Sequence, residues 1–289
     1  MIRVDETEPE GYEWYREQIA GHHPSVVKGS FKQIGLLKKK NGPNVLKLVQ
    51  EGLKGDMEVN FYKDLAAKEA HILKQFIPTF FGLKDIVFAT GKFTFLELSD
   101  IAEEFDCPCQ MDVKIGLKTF DHLAPAEKQE SESKKYPPQL YLGFRLLGYR
   151  LNGRTADDDV KIITKDRVWG RSLCKTAIPH AFQEFLSNSN PMQTTHIIES
   201  FLSQLRRLLS WFDTQTSYNF FASSLLFVYE GNLTANDTSK ATIKMIDFSH
   251  TYSNVGALDQ NYIPGLVNLI RIFENILIED STDLEFPIE

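Results

Sequence analysis

The sequence has 289 residues, of which 42% are hydrophobic and 25% charged, and its formal net charge is −7 at pH 7. This length allows one large domain or two lobes, and the composition is ordinary for a globular protein. Because the net charge is negative, a general nucleic-acid surface is excluded, and any polyanion site must be a local basic pocket. The cysteines are odd in number, three in all, so we expect a reducing, intracellular compartment, either nucleus or cytoplasm.

The first hundred residues predict a small antiparallel sheet with one long helix. Two alternating apolar segments flank Asn41-Gly42, a strong hairpin signal, and the second segment, VLKLV, carries Lys47. Apolar residues at helical spacing then predict a helix over 51–76, which Pro78 ends. Two segments rich in aromatic and β-branched residues, FFGLKDIVFA and KFTFLELS, predict the next two strands.

The remaining chain predicts a larger lobe that mixes strands with helices. An apolar strand, PCQMDVKIG, precedes a polar insertion near 117–138, in which a short helix can begin after Pro125. Further strands are predicted in YLGFRLLGYRL, VKIITK, SSLLFVYEG and TIKMIDFSH, and helices in AIPHAFQEFLSN, HIIESFLSQLRRLLSWFDTQ and PGLVNLIRIFENIL. This order favours the α+β class with two unequal lobes, an N-lobe over 1–100 and a C-lobe over 101–289.

Charged residues within or beside apolar strands are the candidates for chemistry. Taken singly, Lys47 is typical of an edge strand, Asp247 of a turn, and the Asp112/Lys114 pair of a solvent-facing salt bridge. Taken together, they suit phosphoryl transfer, which needs a strand lysine on the nucleotide phosphates, here steadied by Glu58, and an aspartate on Mg²⁺. The sequence has neither a glycine-rich phosphate loop nor a His-Arg-Asp motif, which excludes an ordinary protein kinase.

Three motifs in the expected order carry a resemblance to a known family. PCQMDVKIG resembles the Pro-x-x-x-Asp-x-Lys-x-Gly signature of the inositol polyphosphate kinase family, while ASSLLFVYEG and MIDFSH resemble its Ser-Ser-Leu-Leu and Ile-Asp-Phe motifs. The similarity runs from QIAGH near residue 18 to the last helix. WGRSL, and VLKLVQ followed by EVNFY, are most similar to its multikinase branch. The resemblance implies a bilobal protein-kinase-like fold, with an antiparallel-sheet N-lobe, a larger mixed C-lobe and ATP in the cleft.

The resemblance also implies roles for individual residues. The implied catalytic residues are Lys114, Asp112 and Asp247, and the implied ATP site is Lys47, Ser99, Asp100, Ile101, Asp112 and Asp247. The implied Mg²⁺ ligands are Asp247 and Ser224, and the implied substrate site is Gln50, Lys54, Lys114, Lys128, Arg171 and His250. The hinge has Ser99 where the family usually has glutamate, a change that adenine recognition through backbone groups tolerates. The stretch KQESES, which begins at Lys128, does not keep the glutamines that multikinases carry after the matching lysine, and this leaves the preferred inositol phosphate open.

The activity that the resemblance implies is an ATP- and Mg²⁺-dependent transfer of phosphate to hydroxyl groups of soluble inositol polyphosphates, from tris- and tetrakisphosphates to the pentakisphosphate. One alternative is a hexakisphosphate kinase that makes diphosphates. Another is a scaffold without catalysis that binds inositol phosphates or transcription factors. Phosphoinositide lipid headgroups stay open as substrates. We expect no nucleic-acid partner and a monomeric protein.

Overall fold

The chain folds around two five-stranded antiparallel sheets in a computed structural model that describes residues 8–15, 17–19, 27–28, 31–32, 35–88, 91–154, 160–231, 240–253 and 255–283. The first part of the chain contains β1 (Tyr12–Trp14), β2 (Val27–Lys28), β3 (Phe31–Lys32), β4 (Leu37–Lys39), β5 (Asn44–Leu48), α1 (Leu53–Ala67), β6 (Phe80–Phe88) and β7 (Gly91–Ser99). Four of the later strands belong to the second sheet with β8 (Pro108–Ile115), namely β9 (Phe144–Arg154), β10 (Val160–Lys165), β12 (Ser224–Glu230) and β13 (Ala241–Ile246). A separate strand pair consists of β11 (Tyr218–Phe220) and β14 (Thr251–Ser253).

The helices of the second part surround its sheet. They are α2 (Ala126–Lys135), α3 (Gln139–Leu142), α4 (Arg167–Ser172), α5 (Ile178–Leu186), α6 (Pro191–Phe212) and α7 (Ile263–Asp283). The predicted helices after Pro125 and at the three amphipathic segments are confirmed, and α6 starts earlier than predicted because Asn190 and Gln193 form a capping box. Among the residues that the structure describes, no helix is long and apolar enough to cross a membrane.

The first sheet has the strand order β1-β4-β5-β7-β6 and confirms the predicted hairpin. Its turn places Asn41 at a φ of 57°, a left-handed conformation that asparagine adopts more readily than most residues. On the other side of β5, Lys47 lies opposite Leu96 of β7, so the strand that carries it is central to the sheet. The edge-strand alternative for Lys47 is therefore wrong.

The single long helix predicted over 51–76 is wrong, because α1 ends at Ala67. Lys68 adopts an extended conformation, and a short 3₁₀ helix, Ile72–Gln75, follows. The side chain of His71 accepts a hydrogen bond from the backbone of Leu73 and caps this second turn. The apolar spacing continues across the break because both segments bury their apolar side chains, so periodicity alone did not reveal it.

The second sheet has the strand order β10-β9-β8-β12-β13, which places the signature strand β8 at its centre. Ser224 of β12 lies opposite both Lys114 of β8 and Ile246 of β13, so the three motifs are adjacent in space. The strand predicted at YLGFRLLGYRL begins later than expected, because its first residues form α3 and the chain turns at Gly143, where φ is 70°. The predicted turns NGRTADDD and GNLTANDTSK, and the end of QIAGH, lie partly outside the described residues.

The main hydrophobic core is continuous between the two sheets, and α1 provides the connection. Phe61 on α1 lies edge-on to Tyr218 and Phe220, with ring centroids 5.5 and 5.7 Å away, and 4.2 Å from the ring centroid of Phe248. A smaller cluster fills the other face of the first sheet. The predicted α+β class is confirmed, whereas the proposed boundary at residue 100 stays a prediction.

Phe61→Ala should lower the free energy of unfolding by about 3–5 kcal/mol, because it removes an aromatic ring that is 4% exposed and leaves a cavity between α1 and the β11/β14 strand pair. Urea unfolding measures this change. Leu53→Ala is the matched control, since Leu53 is on the same helix but 59% exposed, and it should change the value by less than about 0.5 kcal/mol. Equal effects of the two substitutions would contradict a core role for Phe61.

Candidate active site

A buried ion-pair network centred on Lys47 joins the first sheet, α1 and the end of β13. Lys47 Nζ lies 2.7 Å from Glu58 Oε1 and 2.5 Å from Asp247 Oδ1. The same oxygen of Glu58, which is 1% exposed, accepts a hydrogen bond from the backbone N–H of Phe248 at 3.0 Å. One helix carboxylate therefore fixes both the strand lysine and the segment that carries Asp247.

The charges of this network keep Lys47 protonated. Burial by itself would lower the pKa of Lys47, but the carboxylates of Asp247 and Glu58 outweigh it and raise the pKa above its usual value. Asp247 adopts a left-handed φ of 65°, and its side chain remains 43% exposed. The chain thus turns at Asp247 so that the carboxylate contacts Lys47 and is still accessible to a ligand.

The signature strand β8 places Asp112 and Lys114 on one face of the second sheet, as their spacing of two residues requires. Asp112 is only 4% exposed, so the alternative of a solvent-facing salt bridge is wrong. Lys114 Nζ donates a hydrogen bond to the carbonyl oxygen of Ala222 at 2.6 Å. Ala222 has a φ of 54°, so this contact holds a strained turn directly before the Ser224 strand.

Burial raises the pKa of Asp112 to about 6, with Lys114 acting against the increase and the charge of Asp247 adding to it. Burial lowers the pKa of Lys114, and the carboxylates of Asp247 and Asp112 partly restore it. The hydroxyl of the buried Ser224 acts to lower the pKa of Asp112. Neither Ser224 Oγ nor Asp112 Oδ1 makes a well-formed hydrogen bond with the described residues. Two buried oxygen atoms thus lie next to the Lys114 side chain.

The predicted hinge lies at the end of β7, where two of its amide groups are already in use. Ser99 N–H donates to Thr79 and Asp100 N–H donates to Pro43, both at 2.9 Å. The Asp100 carboxylate accepts hydrogen bonds from Lys38 at 2.6 Å and from the backbone of Ala102 at 3.0 Å. A nucleotide contact by Ser99 or Asp100 would therefore use a carbonyl oxygen, and the carboxylate of Asp100 instead shapes the turn that contains Ile101.

Three of the predicted substrate residues are grouped around His250. His250 Nδ1 lies 2.5 Å from Asp121 Oδ2, and Asp121 is buried. Burial lowers the pKa of His250; Asp121 opposes the change, and the positive charges of Lys54 and Lys128 add to it. Lys54 on α1 and Lys128 on α2 are therefore both close enough to act on the same imidazole.

Gln50 and Arg171 occupy two other positions around the cleft. The carbonyl of Gln50 approaches Gly55 so closely that a Cβ there would lie 1.8 Å from the oxygen, which fixes the start of α1 beside Lys54. Arg171 is exposed on α4 and acts electrostatically on Arg145, a buried residue of β9. Gln50 thus lies beside the start of α1, whereas Arg171 lies near the strand β9 of the second sheet.

Sequence reasoning missed Asp121 and Arg145. Asp121 lies 129 positions from its partner His250, and nothing local indicates the pairing. Arg145 did carry a signal, because it is a charged residue within the apolar segment FRLLG, the same feature that singled out Lys114.

The described residues contain no group of three or more His, Cys, Asp or Glu side chains that could hold a metal ion by themselves. The oxygen atoms of Asp247 and Ser224 suit Mg²⁺, which commonly binds through one or two carboxylates together with substrate phosphates. A strand lysine steadied by a helix glutamate, next to an aspartate at the end of a strand in a second sheet, defines the kinase-like class of phosphoryl-transfer proteins.

Comparisons with known proteins identify the family within this class. The model of the family described as inositol polyphosphate kinase matches residues 95–274, and the chain belongs to this family. The human inositol polyphosphate multikinase is 34% identical over 220 residues, which cover 74% of this chain and 50% of that protein. The mouse inositol hexakisphosphate kinase 3 is 29% identical over 204 residues, which cover 63% of this chain and 50% of that protein. The chain therefore spans about half the length of these curated relatives.

A crystal structure of the inositol phosphate multikinase Ipk2 from S. cerevisiae, in complex with ADP and Mn²⁺, superposes with a TM-score of 0.67. The match covers 82% of this chain and 100% of that chain at 23% sequence identity. The predicted bilobal fold is thereby confirmed.

Asp112→Asn should stabilise the protein more at pH 7.5 than at pH 4. The change that the substitution causes in the free energy of unfolding should differ between the two pH values by up to about 3 kcal/mol. The reason is that the folded protein holds the Asp112 proton up to a pKa of about 6, so its stability falls as pH rises from about 4 to 6. The neutral asparagine removes this loss. Urea unfolding at both pH values measures the difference.

The control for this measurement is Asp56→Asn, which changes an exposed carboxylate on α1. Its effect on the free energy of unfolding should be the same at the two pH values within about 0.5 kcal/mol. A pH-independent effect of Asp112→Asn would contradict the raised pKa.

Proposed function

We propose that the protein is an ATP- and Mg²⁺-dependent kinase that phosphorylates hydroxyl groups of soluble inositol polyphosphates, with a multikinase specificity from tris- and tetrakisphosphates to the pentakisphosphate. The observation that carries the proposal is the network in which Glu58 fixes Lys47 beside Asp247. This network lies next to the Asp112/Lys114 strand. The membership in the inositol polyphosphate kinase family supports the acceptor class.

On the nucleotide side, Lys47 would bind the ATP phosphates, since its charge is maintained by two carboxylates. Mg²⁺ would be held by Asp247 with Ser224 and would neutralise charge on the phosphates when bound. Asp112, with a pKa near 6, is largely ionised at neutral pH and lies at the boundary between nucleotide and acceptor. Of its two charged neighbours, Lys114 acts to lower the pKa of Asp112 and Asp247 acts to raise it.

On the acceptor side, Lys114 would contact the migrating phosphoryl group and the reacting hydroxyl. Phosphoryl transfer requires little covalent help from the protein, so alignment and charge neutralisation account for most of the acceleration. Lys54, Lys128 and His250 would bind phosphates on the inositol ring, and Arg171 would add a cation from the opposite side. A compact polyanion is the ligand that this arrangement of positive charge suits best.

The hexakisphosphate kinase remains the second candidate function, because the same groups could serve a fully phosphorylated ring. A scaffold without catalysis is disfavoured, since a binding protein has no need of the Lys47–Asp247 pair. Phosphoinositide headgroups stay open as substrates. The monomeric state, the absence of a nucleic-acid partner and the nuclear or cytoplasmic residence stay predictions.

Asp247→Asn should lower kcat for ATP-dependent phosphorylation by about 10²–10³-fold or more, because it removes the charged metal ligand and a partner of Lys47. Asparagine tolerates the left-handed backbone at this position, so the urea midpoint should stay close to that of the unchanged protein. Asp85→Asn, on the edge strand β6, is the control and should leave turnover unchanged. Near-normal turnover of Asp247→Asn would contradict the proposed role of Asp247 as a Mg²⁺ ligand.

Product analysis separates the two candidate enzymes. The protein is incubated with Mg-ATP and, in separate reactions, with an inositol trisphosphate, a pentakisphosphate and the hexakisphosphate. The proposed specificity predicts tetrakis- and pentakisphosphate products from the trisphosphate and little diphosphate from the hexakisphosphate. Diphosphate formation as the dominant reaction would instead support the hexakisphosphate kinase, and no product from any acceptor would support the scaffold.

A further inference from the structure

Arg145 lies on the face of the second sheet that carries the candidate site. It is directly opposite Lys114 in the pairing of β8 with β9, and opposed residues of an antiparallel pair point to the same face. Its side chain is 6% exposed, and α4, with Arg171, packs against β9 beside it. Arg145 is therefore a buried cation next to the lysine that would contact the migrating phosphate.

The hydrogen-bonding capacity of Arg145 is mostly unused within the described residues. Its Nη2 lies 3.6 Å from Glu132 Oε2, an ion-pair distance that is too long for a hydrogen bond. Its Nε and Nη1 are buried and make no hydrogen bond. Leaving buried donors of a charged group without a hydrogen-bond partner is unfavourable, more so than for a neutral group. Such donors therefore favour an anionic ligand.

The surrounding charge adds to this preference. Burial lowers the pKa of Arg145 and the positive charge of Arg171 adds to this, while the carboxylates of Glu132 and Asp112 only partly oppose it. The charge of Arg145 in turn lowers the pKa of Lys114. Glu132 is also shared, because it accepts hydrogen bonds from Thr119 and from Lys135. The cation is thus undercompensated by the protein itself.

Nε–H points along the edge that Nε shares with Nη2, whereas Nη1 lies on the other side of the guanidinium. Nε and Nη1 can therefore each donate one charge-assisted hydrogen bond to a phosphate oxygen. We propose that the guanidinium of Arg145 binds a phosphate group of the inositol polyphosphate, with Nε or Nη1 as donor, next to the hydroxyl that faces Lys114. This subsite rests on the proposed function for the identity of the acceptor. It adds a buried cation on β9 to the acceptor cations on β8, α1, α2 and α4.

A purely structural role is the competing explanation. Arg145 could act through Glu132, which lies one helical turn from Lys128 on the same face of α2 and could orient that lysine. The two explanations differ in what happens when Glu132 is neutralised. If Arg145 acts only by holding Glu132 in place, which is a structural tie, Glu132→Gln and Arg145→Met should weaken ligand binding equally. A phosphate-binding Arg145 would lose a competitor for its guanidinium and retain its ligand.

The test measures binding without turnover. An inositol trisphosphate, a pentakisphosphate and the hexakisphosphate are titrated separately into the full chain, and isothermal titration calorimetry measures the affinity of each. Mg²⁺ and a non-hydrolysable ATP analogue are present at saturating concentration so that Lys47 is occupied. Arg145→Met should weaken binding of the tightest ligand by about 10- to 100-fold, as expected for a charge-assisted pair. Arg145→Lys should weaken it less, because the positive charge remains while the planar guanidinium donors are lost.

Two further variants complete the design. Glu132→Gln should stay within about threefold of the unchanged protein, and Arg206→Met, which changes an exposed arginine paired with Glu274 on α7, should have no effect. The affinity for the ATP analogue should be the same in all variants. A rise in KM for the inositol phosphate with KM for ATP unchanged should accompany the loss of binding.

Equal weakening in Arg145→Met and Glu132→Gln, with no further loss in the double variant, would overturn the subsite in favour of the structural tie. Unchanged binding in a folded Arg145→Lys and Arg145→Met would overturn it as well, as would failure of the unchanged protein to bind any of the three ligands. If the unchanged protein binds them, depends on Arg145 and yet transfers no phosphate, the subsite stands and the proposed kinase activity fails.

Discussion

The structure depends on the buried carboxylate of Glu58, which requires ion-pair and hydrogen-bond partners. An ionised side chain that is removed from water costs several kcal/mol unless ion pairs and hydrogen bonds compensate it. Glu58 obtains both from Lys47 on β5 and from the backbone of Phe248 after β13. Strand, helix and loop must therefore be in place together, so the same contacts that allow α1 to bury a charge also assemble the proposed nucleotide side of the site.

The two sides of the cleft differ in how their charges are compensated. Around Lys47 the carboxylates of Glu58 and Asp247 outnumber the cation, which suits a site that receives a metal ion with a nucleotide. Around Lys114 and Arg145 the cations are incompletely compensated and buried, and burial lowers the pKa of both. Such an arrangement suits a ligand that brings several negative charges of its own.

Much of the fold was predictable because the strand segments are rich in apolar, aromatic and β-branched residues and are bounded by strong turn signals such as Asn41-Gly42. The motifs and the strand lysine also predicted which groups would be neighbours. Lys47 contacts Asp247, and the charge of Asp247 acts on Asp112, while the roles assigned to these residues stay predictions. The break after Ala67 was not predictable, because Lys68 leaves the helix to contact Tyr218 far along the chain. The pairing of His250 with Asp121 likewise depends on tertiary contacts that no local pattern records.

The packing of α1 determines which parts of the molecule can move as a unit. Phe61 is enclosed by aromatic rings of the second part of the chain, and withdrawing it would forfeit about 3–5 kcal/mol of packing. A helix packed in this way does not rotate away from the second part of the chain as a regulatory element would. Any closure over a ligand must instead tilt the strands of the first sheet against a stationary helix. The Lys47–Glu58 ion pair joins β5 of that sheet to α1, so a change in its length would report a movement of the sheet relative to the helix.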